Sequence, residues 1–518
     1  MAVSRSSKTS PSSDGIAGPL AILALLGVLS GSAIAFFYWR GNLLYYGDAV
    51  AHLNIARRVV DSRTPGWDQI GTAWLPLPHV LMLPLVRSDR LWQSGLAGAI
   101  PSGACFVVAG LFVFLAARRV FASGPAAAAA CLLLALNPNL LYMQSIAMTE
   151  AVFLAALAAV LYFTVRFRER QSLGSAIGAG LAAAAGTLTR YEGWFLIPFV
   201  TVYFLLAAQR RRWLAALVFG AIATLGPLFW LADNWWYYGN ALEFLNGPYS
   251  AKAIYQHQLD IGMARYPGDH DWGKALLYVR SAAQSCAGWP LFWLGVAGAL
   301  VAIFKKMWWP LLLLALPPLF YVWSMYSSGT PIFVPQLWPH SYYNTRYGLA
   351  ALPLVALAAG ALVTLAPVRF RSLAAVAVVL AGTLGWVAYP RPDGWICWKE
   401  SQVNSVSRRA WTGETADFLR TQYRPGDGVL VSFGDLAGIF QQAGIPLRET
   451  LHDGNEPHWW ASLGRPDLFL WEGWAVAISG DEVSTALHRI RTKSPRYDCV
   501  KTIAVKGAPV IEIYRRVR

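Results

Sequence analysis

Apolar runs about twenty residues long recur along this 518-residue chain as far as residue 389, and few folds can absorb so many. The first, Ile16 to Trp39, holds 24 positions without a charge before Arg40. A run of that length crosses a bilayer as a helix. Comparable segments lie near 16–39, 93–117, 124–142, 148–165, 172–189, 192–209, 213–232, 283–304, 307–325, 347–366 and 372–389, which predicts about eleven transmembrane helices. Only 14% of residues are charged, against roughly 25% in soluble domains. The expected fold class is therefore a polytopic α-helical membrane protein. The first run is too long for a signal-peptide core and lacks a small-residue cleavage site, so it reads as a retained signal anchor.

Charge placement orients the helices. The net charge of +15 does not point to nucleic acid, because the excess sits in short clusters between apolar runs. Arg118-Arg119, Arg166/Arg168/Arg170, Arg210-Arg211-Arg212, Lys305-Lys306 and Arg369/Arg371 occupy every second junction, and the N-terminal tail shares their parity. By the positive-inside rule these face the cytoplasm. The opposite junctions then face outward: segments 40–92 and 233–282, the turns at Asn137–Ser145 and Thr189–Gly193, segment 326–346, and everything after Tyr389. Residues 1–15 are expected to form a disordered cytoplasmic tail, 16–390 the transmembrane domain, and 391–518 a small extracytoplasmic α/β domain. In that last part, strand-like runs (Gly428–Phe433, Trp474–Ser479, Val510–Tyr514) alternate with helix-like ones (Glu414–Tyr423, Asp481–Thr492). Five cysteines are few. Cys105, Cys131 and Cys286 lie in apolar runs, while Cys397 and Cys499 lie in the polar tail, where a disulfide between them is an option.

Ionisable residues near spans are costly and usually have a partner or a purpose. Here Asp48, Glu150, Arg190, Glu192, Asp233 and Arg346 all fall at outward helix ends, and with Asn137, Asn234, Tyr342, Tyr343 and Asn344 they suggest one outward-opening cavity. The plain alternative is that helix ends simply meet water. Residues 48–60 show apolar positions at helical spacing, as in an amphipathic helix lying in the membrane interface. Asp48 and His52, at i and i+4, share a face of it. With a third ligand such as Glu150 they would suit a divalent metal; without one, they suit a hydrogen bond. In the tail, Ser432-Phe-Gly434-Asp435, His452, Asp453, His458 and Trp459 either roof the cavity or serve local turns, and local turn chemistry is the simpler account.

Four stretches carry a family resemblance: Gly47-Asp48-Ala-Val-Ala-His52-Leu, Asn137-Pro-Asn through Met148-Thr149-Glu150, Leu188-Thr189-Arg190-Tyr191-Glu192-Gly193, and Asn344-Thr-Arg346-Tyr347-Gly-Leu-Ala-Ala-Leu-Pro353. In order and sidedness they resemble GT-C integral-membrane glycosyltransferases, nearest the protein-mannosyltransferase and aminoarabinose-transferase-like family, over roughly residues 16–390. The resemblance implies an inverting transfer of a sugar from a polyprenyl-phosphate donor to a hydroxyl on a glycan, lipid or protein acceptor. It implies Asp48 as catalytic base, Glu150 as the second acid, and Arg190 and Arg346 at the donor phosphate. His52, Tyr191, Glu192, His340 and Tyr343 are the expected substrate-binding residues, Asp48, His52 and Glu150 the candidate metal ligands, and a bacterial-type plasma membrane the expected location. Two departures stand out. Asp48 is followed by Ala49 where protein mannosyltransferases have an Asp-Glu pair, and the tail does not resemble the β-trefoil of some relatives. Two rivals remain. An oligosaccharyltransferase would carry a Trp-Trp-Asp signature where this tail has Trp459-Trp460-Ala461. A transporter would place its polar residues near the bilayer midplane.

Overall fold

A computed structural model describes residues 14–388, 394–490 and 495–517. Most of the expected N-terminal tail and the Tyr389 boundary lie outside these residues. Each expected apolar segment is helical over most of its described length, because it is long and nearly free of charge. The span count differs from expectation. Among the described residues, seven helices are long and apolar enough to cross a membrane, or eight if one bent pair counts as a single span. The helices Gly124–Ala135, Leu173–Thr187 and Glu192–Ala207 are 12, 15 and 16 residues long. At 1.5 Å per residue these fall short of a hydrocarbon core of about 30 Å. Gly124–Ala135 stops just before Asn137, Leu173–Thr187 stops just before Thr189-Arg190, and Glu192–Ala207 begins just after that same break.

The segment expected as a single span over 283–304 is two helices, Trp272–Ala287 and Trp289–Phe304, bent by 108°. Gly288 makes the bend at φ +81°, and the Trp386 ring would lie 2.7 Å from a Cβ there. Only glycine takes that conformation cheaply. Beyond the bend, Gly298 brings its helix against Leu352–Leu362 so closely that a Cβ would lie 2.0 Å from the Ala358 carbonyl oxygen. Small residues at crossings are what let membrane helices pack backbone to backbone.

The C-terminal part opens with a long helix, Ile396–Gln422. A five-stranded sheet follows, with β1 (Val429–Val431), β2 (Thr450–Leu451), β3 (Trp474–Ile478), β4 (Arg496–Ile503) and β5 (Ile511–Val517) in the order β2-β1-β3-β5-β4. β1 pairs parallel with β2 and β3, while β5 runs antiparallel to β3 and β4. β1, β3 and β5 match the expected strands. β2, at two residues, and β4, which is mostly exposed, carry too weak a pattern to be read from the chain.

This part does not hang free. Its helix Phe433–Ala443 packs on Gly47–Val60, and Leu53 and Ala56 share one buried cluster with Met82, Val86, Trp92, Leu436 and Phe440. Gln441 donates to the Trp92 carbonyl at 2.7 Å, Arg448 pairs with Asp61 at 2.9 Å and Arg63 with Glu472 at 2.6 Å. The apolar face of Gly47–Val60 is thus covered by protein, which corrects the expectation of an interface-lying helix.

Candidate active site

Three of the expected acids open helices. Asp48 lies in the first turn of Gly47–Val60, Glu150 starts Glu150–Arg170 and Glu192 starts Glu192–Ala207. A carboxylate in a first turn is favoured by the unpaired N–H groups and the helix dipole. The two arginines come from breaks between helices. Arg190 follows the end of Leu173–Thr187, and Arg346 sits in a 3-10 segment, Thr345–Ala351, that runs into Leu352–Leu362.

These breaks converge. Arg346 Nη2 donates to Asp48 Oδ2 at 2.5 Å, and its Nε lies 3.2 Å from Glu150 Oε1. Arg190 Nη1 donates to the same Glu150 oxygen at 3.0 Å, and its Nε donates to Glu192 Oε1 at 2.6 Å. Tyr321 Oη accepts from Arg190 Nη2 and donates to Glu192 Oε1, both at 2.6 Å. Rings of Tyr46 and Tyr347 lie 5.0 and 5.1 Å from the Arg346 guanidinium. Asp48 and Glu150 therefore flank one arginine.

The two arginines are not equally occupied. Arg190 engages Glu192, Thr149, Glu150 and Tyr321 and so uses four of the five N–H groups of a guanidinium. Arg346 donates one hydrogen bond among the described residues. Its Nε is buried without one, and its Nη1 stands 3.8 Å from Glu400. Glu150 Oε2 is likewise buried and accepts nothing. A buried polar atom left unpaired costs about 1–3 kcal/mol, so both atoms are places where a bound group would be stabilised.

Two spaces meet at this pair. On the Asp48 side lies a cavity of about 940 Å³, walled by Arg40, Arg58, Trp74, Arg408, Asp435 and Asp453 among others. On the Glu150 side lies a narrow apolar cleft of about 20 Å³, room for about one water, lined by Glu150, Phe153, Leu154, Leu157, Arg346 and Leu349. Phe153, Leu154 and Leu157 follow Glu150 at +3, +4 and +7, so one helical face leads from the charges into apolar surface.

Other expected residues take different places. Glu192 joins the cluster, and Tyr343, half exposed, stands in the field of Asp48, Arg346 and Glu400. His52 does not. It is buried, its Nδ1 lies 2.9 Å from His79 Nε2, and Trp74 packs on its ring. Burial, aided by the charges of Arg346 and Arg190, pushes its pKa down to about 3, so it stays neutral. Tyr191 stacks on Phe244, and exposed His340 meets the Pro335 carbonyl at 3.1 Å. Asp233 accepts from Trp67 at 2.7 Å and Asn234 from Thr72 at 2.6 Å, so both brace the first outer segment outside the cluster.

The trio Asp48, His52 and Glu150 is not gathered as a ligand set in this arrangement. Arg346 stands between the two carboxylates, and a guanidinium occupies the space a cation would need. His52 turns instead to His79. Among the described residues no three His, Cys, Asp or Glu side chains gather as a ligand set.

Sequence reasoning missed Glu400. From the tail helix it accepts the backbone N–H of Asn344 at 2.9 Å and of Thr345 at 2.8 Å, together with the Thr345 hydroxyl. It anchors the segment that carries Arg346, and nothing in Trp398-Lys-Glu400-Ser marks it. Phe433, Gly434, Asp435 and Asp453 do line the cavity, which favours the roofing role over purely local turns. His452 and Trp459 are instead fully buried in the tail, while Trp460 is exposed.

Comparison with known proteins adds an independent line. Residues 91–237 match the family model of dolichyl-phosphate-mannose-protein mannosyltransferase. No curated protein sequence matches significantly. Among solved structures, the chain is similar to ArnT from Cupriavidus metallidurans bound to undecaprenyl phosphate, at 14% identity and a TM-score of 0.56, covering 97% of this chain and 98% of that one. It is also similar to the oligosaccharyltransferase AglB from Archaeoglobus fulgidus in complex with an inhibitory peptide and a dolichol-phosphate, at 15% identity and a TM-score of 0.51, over 90% and 70% of the two chains. At such identities the likeness speaks for the fold. Residues 91–237 are thus similar in sequence to the protein-mannosyltransferase family, and the chain shares the fold of ArnT over nearly its whole length.

Proposed function

We propose that this protein is an integral-membrane glycosyltransferase that moves a hexosyl or pentosyl group from a polyprenyl-phosphate donor to a hydroxyl acceptor in one inverting displacement. One observation carries the reading: Arg346 lines the apolar cleft and is bonded to Asp48, which lines the wide polar cavity. The donor's phosphate meets Arg346, which donates fewer hydrogen bonds than Arg190, and its isoprenoid leads away past Phe153, Leu154 and Leu157 once the cleft widens to admit it. The acceptor occupies the cavity. Its hydroxyl attacks the anomeric carbon and gives its proton to Asp48 as the bond from that carbon to the phosphate oxygen breaks. Arg346 stabilises the charge left on the departing phosphate. The unpaired Glu150 Oε2 accepts a sugar hydroxyl and orients the ring.

The lipid phosphates bound by the ArnT and AglB structures support this donor class. The alternating basic junctions support eleven crossings, shorter helices included, in a bacterial-type plasma membrane, with the site and residues 391–518 outside. No step is routed through a metal. The test is transfer in proteoliposomes supplied with a labelled polyprenyl-phosphate sugar. Wild type releases polyprenyl phosphate and moves the label to acceptor, and Asp48→Asn loses the activity. Full transfer by Asp48→Asn, or lipid crossing the bilayer without release of polyprenyl phosphate, overturns the reading, the second in favour of a transporter.

A further inference from the structure

We propose that Cys286 and Cys397 are joined by a disulfide that ties the C-terminal segment to the membrane helices behind Arg346. The two sulfurs come from opposite parts of the molecule. Cys286 lies in the last turn of Trp272–Ala287, and Cys397 in the first turn of Ile396–Gln422. Both are fully buried, and their Sγ atoms lie 3.8 Å apart across 111 residues of chain. That is van der Waals contact. A bond of about 2.05 Å needs the two sulfurs to approach by under 2 Å.

A second observation separates this pair from two thiols packed as small apolar groups. Asn139 holds both cysteine backbones with one side chain. Its Nδ2 donates to the Cys286 carbonyl and its Oδ1 accepts the Cys397 N–H, each at 3.0 Å. Asn137 supports the same carbonyl at 2.9 Å. The Asn137-Pro-Asn139 stretch thus sets the two cysteines in register, a task the transfer chemistry does not require. Neither Cys105 nor Cys131 has a cysteine partner, and Cys499 is exposed.

The link also reaches the site. Cys286 Sγ lies 3.1 Å from the Thr345 carbonyl oxygen, and Cys397 lies three residues before Glu400, which holds the N–H groups of Asn344 and Thr345. The cross-link therefore backs the segment that presents Arg346. Oxidation removes one proton and one electron from each sulfur as the S–S bond forms. A disulfide-class oxidant takes up both electrons and both protons, and its own S–S bond opens to two thiols. Because the closed structure buries both sulfurs, this exchange takes place as the tail helix docks. It rests on the outward orientation of the tail, in an oxidising compartment.

The test reads thiols, not transfer, so its failure is distinct from failure of the proposed activity. Full-length protein is isolated from the membranes of a host with an oxidising envelope, denatured without reductant, alkylated with N-ethylmaleimide and mapped by mass spectrometry. Three labels are expected, on Cys105, Cys131 and Cys499, with a cross-linked Cys286–Cys397 peptide. Prior reduction raises the number to five. Cys286→Ser, unreduced, shows a label on Cys397. Labels on both cysteines in more than half of the unreduced wild-type molecules, or a link from either one to Cys499, overturns the proposal.

Discussion

The spaces on the two sides of Arg346 differ most in size. The Asp48 side is wide, at about 940 Å³, and its walls carry Arg40, Arg58, Arg408 and Arg409. The Glu150 side is a slit of about 20 Å³ continued by leucine and phenylalanine. The acids follow suit. The Asp48 side chain is 39% exposed and that of Glu150 is 7% exposed. An exposed carboxylate can pass a proton to water after each turnover, whereas a buried one bonded between two arginines holds its neighbours in place. The two carboxylates that look alike in the chain are thus suited to different tasks, general base and template.

That contrast can be broken most sharply at Asp48. Asp48→Asn keeps the shape and removes the base, and transfer is expected to fall by about 10²–10⁴-fold while the unfolding temperature in detergent barely moves. Equal losses of both would make Asp48 structural. The arginines test the contrast next. Arg190→Ala leaves Glu150 and Glu192 buried without their main partner, a loss of about 3–5 kcal/mol, visible as reduced folded protein in membranes. Arg346→Lys is expected to fold and to raise the donor KM at least tenfold, since an ammonium cannot replace a planar fork. If Arg190→Lys raises the donor KM more than Arg346→Lys does, the two roles are reversed.

Glu400→Gln sharpens the picture from the tail side. It replaces one acceptor oxygen facing Asn344 and Thr345 with a donor, and transfer should fall about tenfold with acceptor KM unchanged. Glu400→Asp should recover part of it. On the cavity side, Arg409→Ala removes a guanidinium that lies 3.9 Å over the Tyr45 ring. It should change only the acceptor KM, by a few fold; a changed donor KM would mean the cavity is not the acceptor's.

The smallest effect concerns pH. His52, held down to about 3 by burial, and His79, lowered the same way, are neutral in the fold. The unfolded chain takes up these protons near pH 6.5. Their contribution to stability is therefore complete above pH about 6.5 and declines as pH falls from there toward 3. Unfolding temperatures measured between pH 7.5 and 4.5 should drop, and less steeply in His52→Gln. An equal slope in the variant would acquit the pair.

Reading the chain alone found the helices, because an uncharged run of about twenty residues is a local property with one good solution in lipid. It found Asp48, Glu150, Arg190 and Arg346, because charges at the ends of such runs are conspicuous. It could not tell which of its eleven segments form full-length helices, since polar residues bound three of them at 12 to 16 residues. It left open a bond between Cys397 and Cys499, whereas the fold buries Cys397 beside Cys286 and leaves Cys499 exposed, a neighbourhood that the apolar setting of Cys286 concealed.

What composition and spacing determined by themselves was a multi-helix membrane protein with its charged residues gathered at helix ends. Only the tertiary structure decided which arginine keeps free donors, which acid meets the open cavity, and that the tail supplies Glu400 and the cavity roof. The reason is distance along the chain. Asp48 and Arg346 pair across 298 residues and Thr345 and Glu400 across 55, and no local pattern records a partner that folding alone brings near.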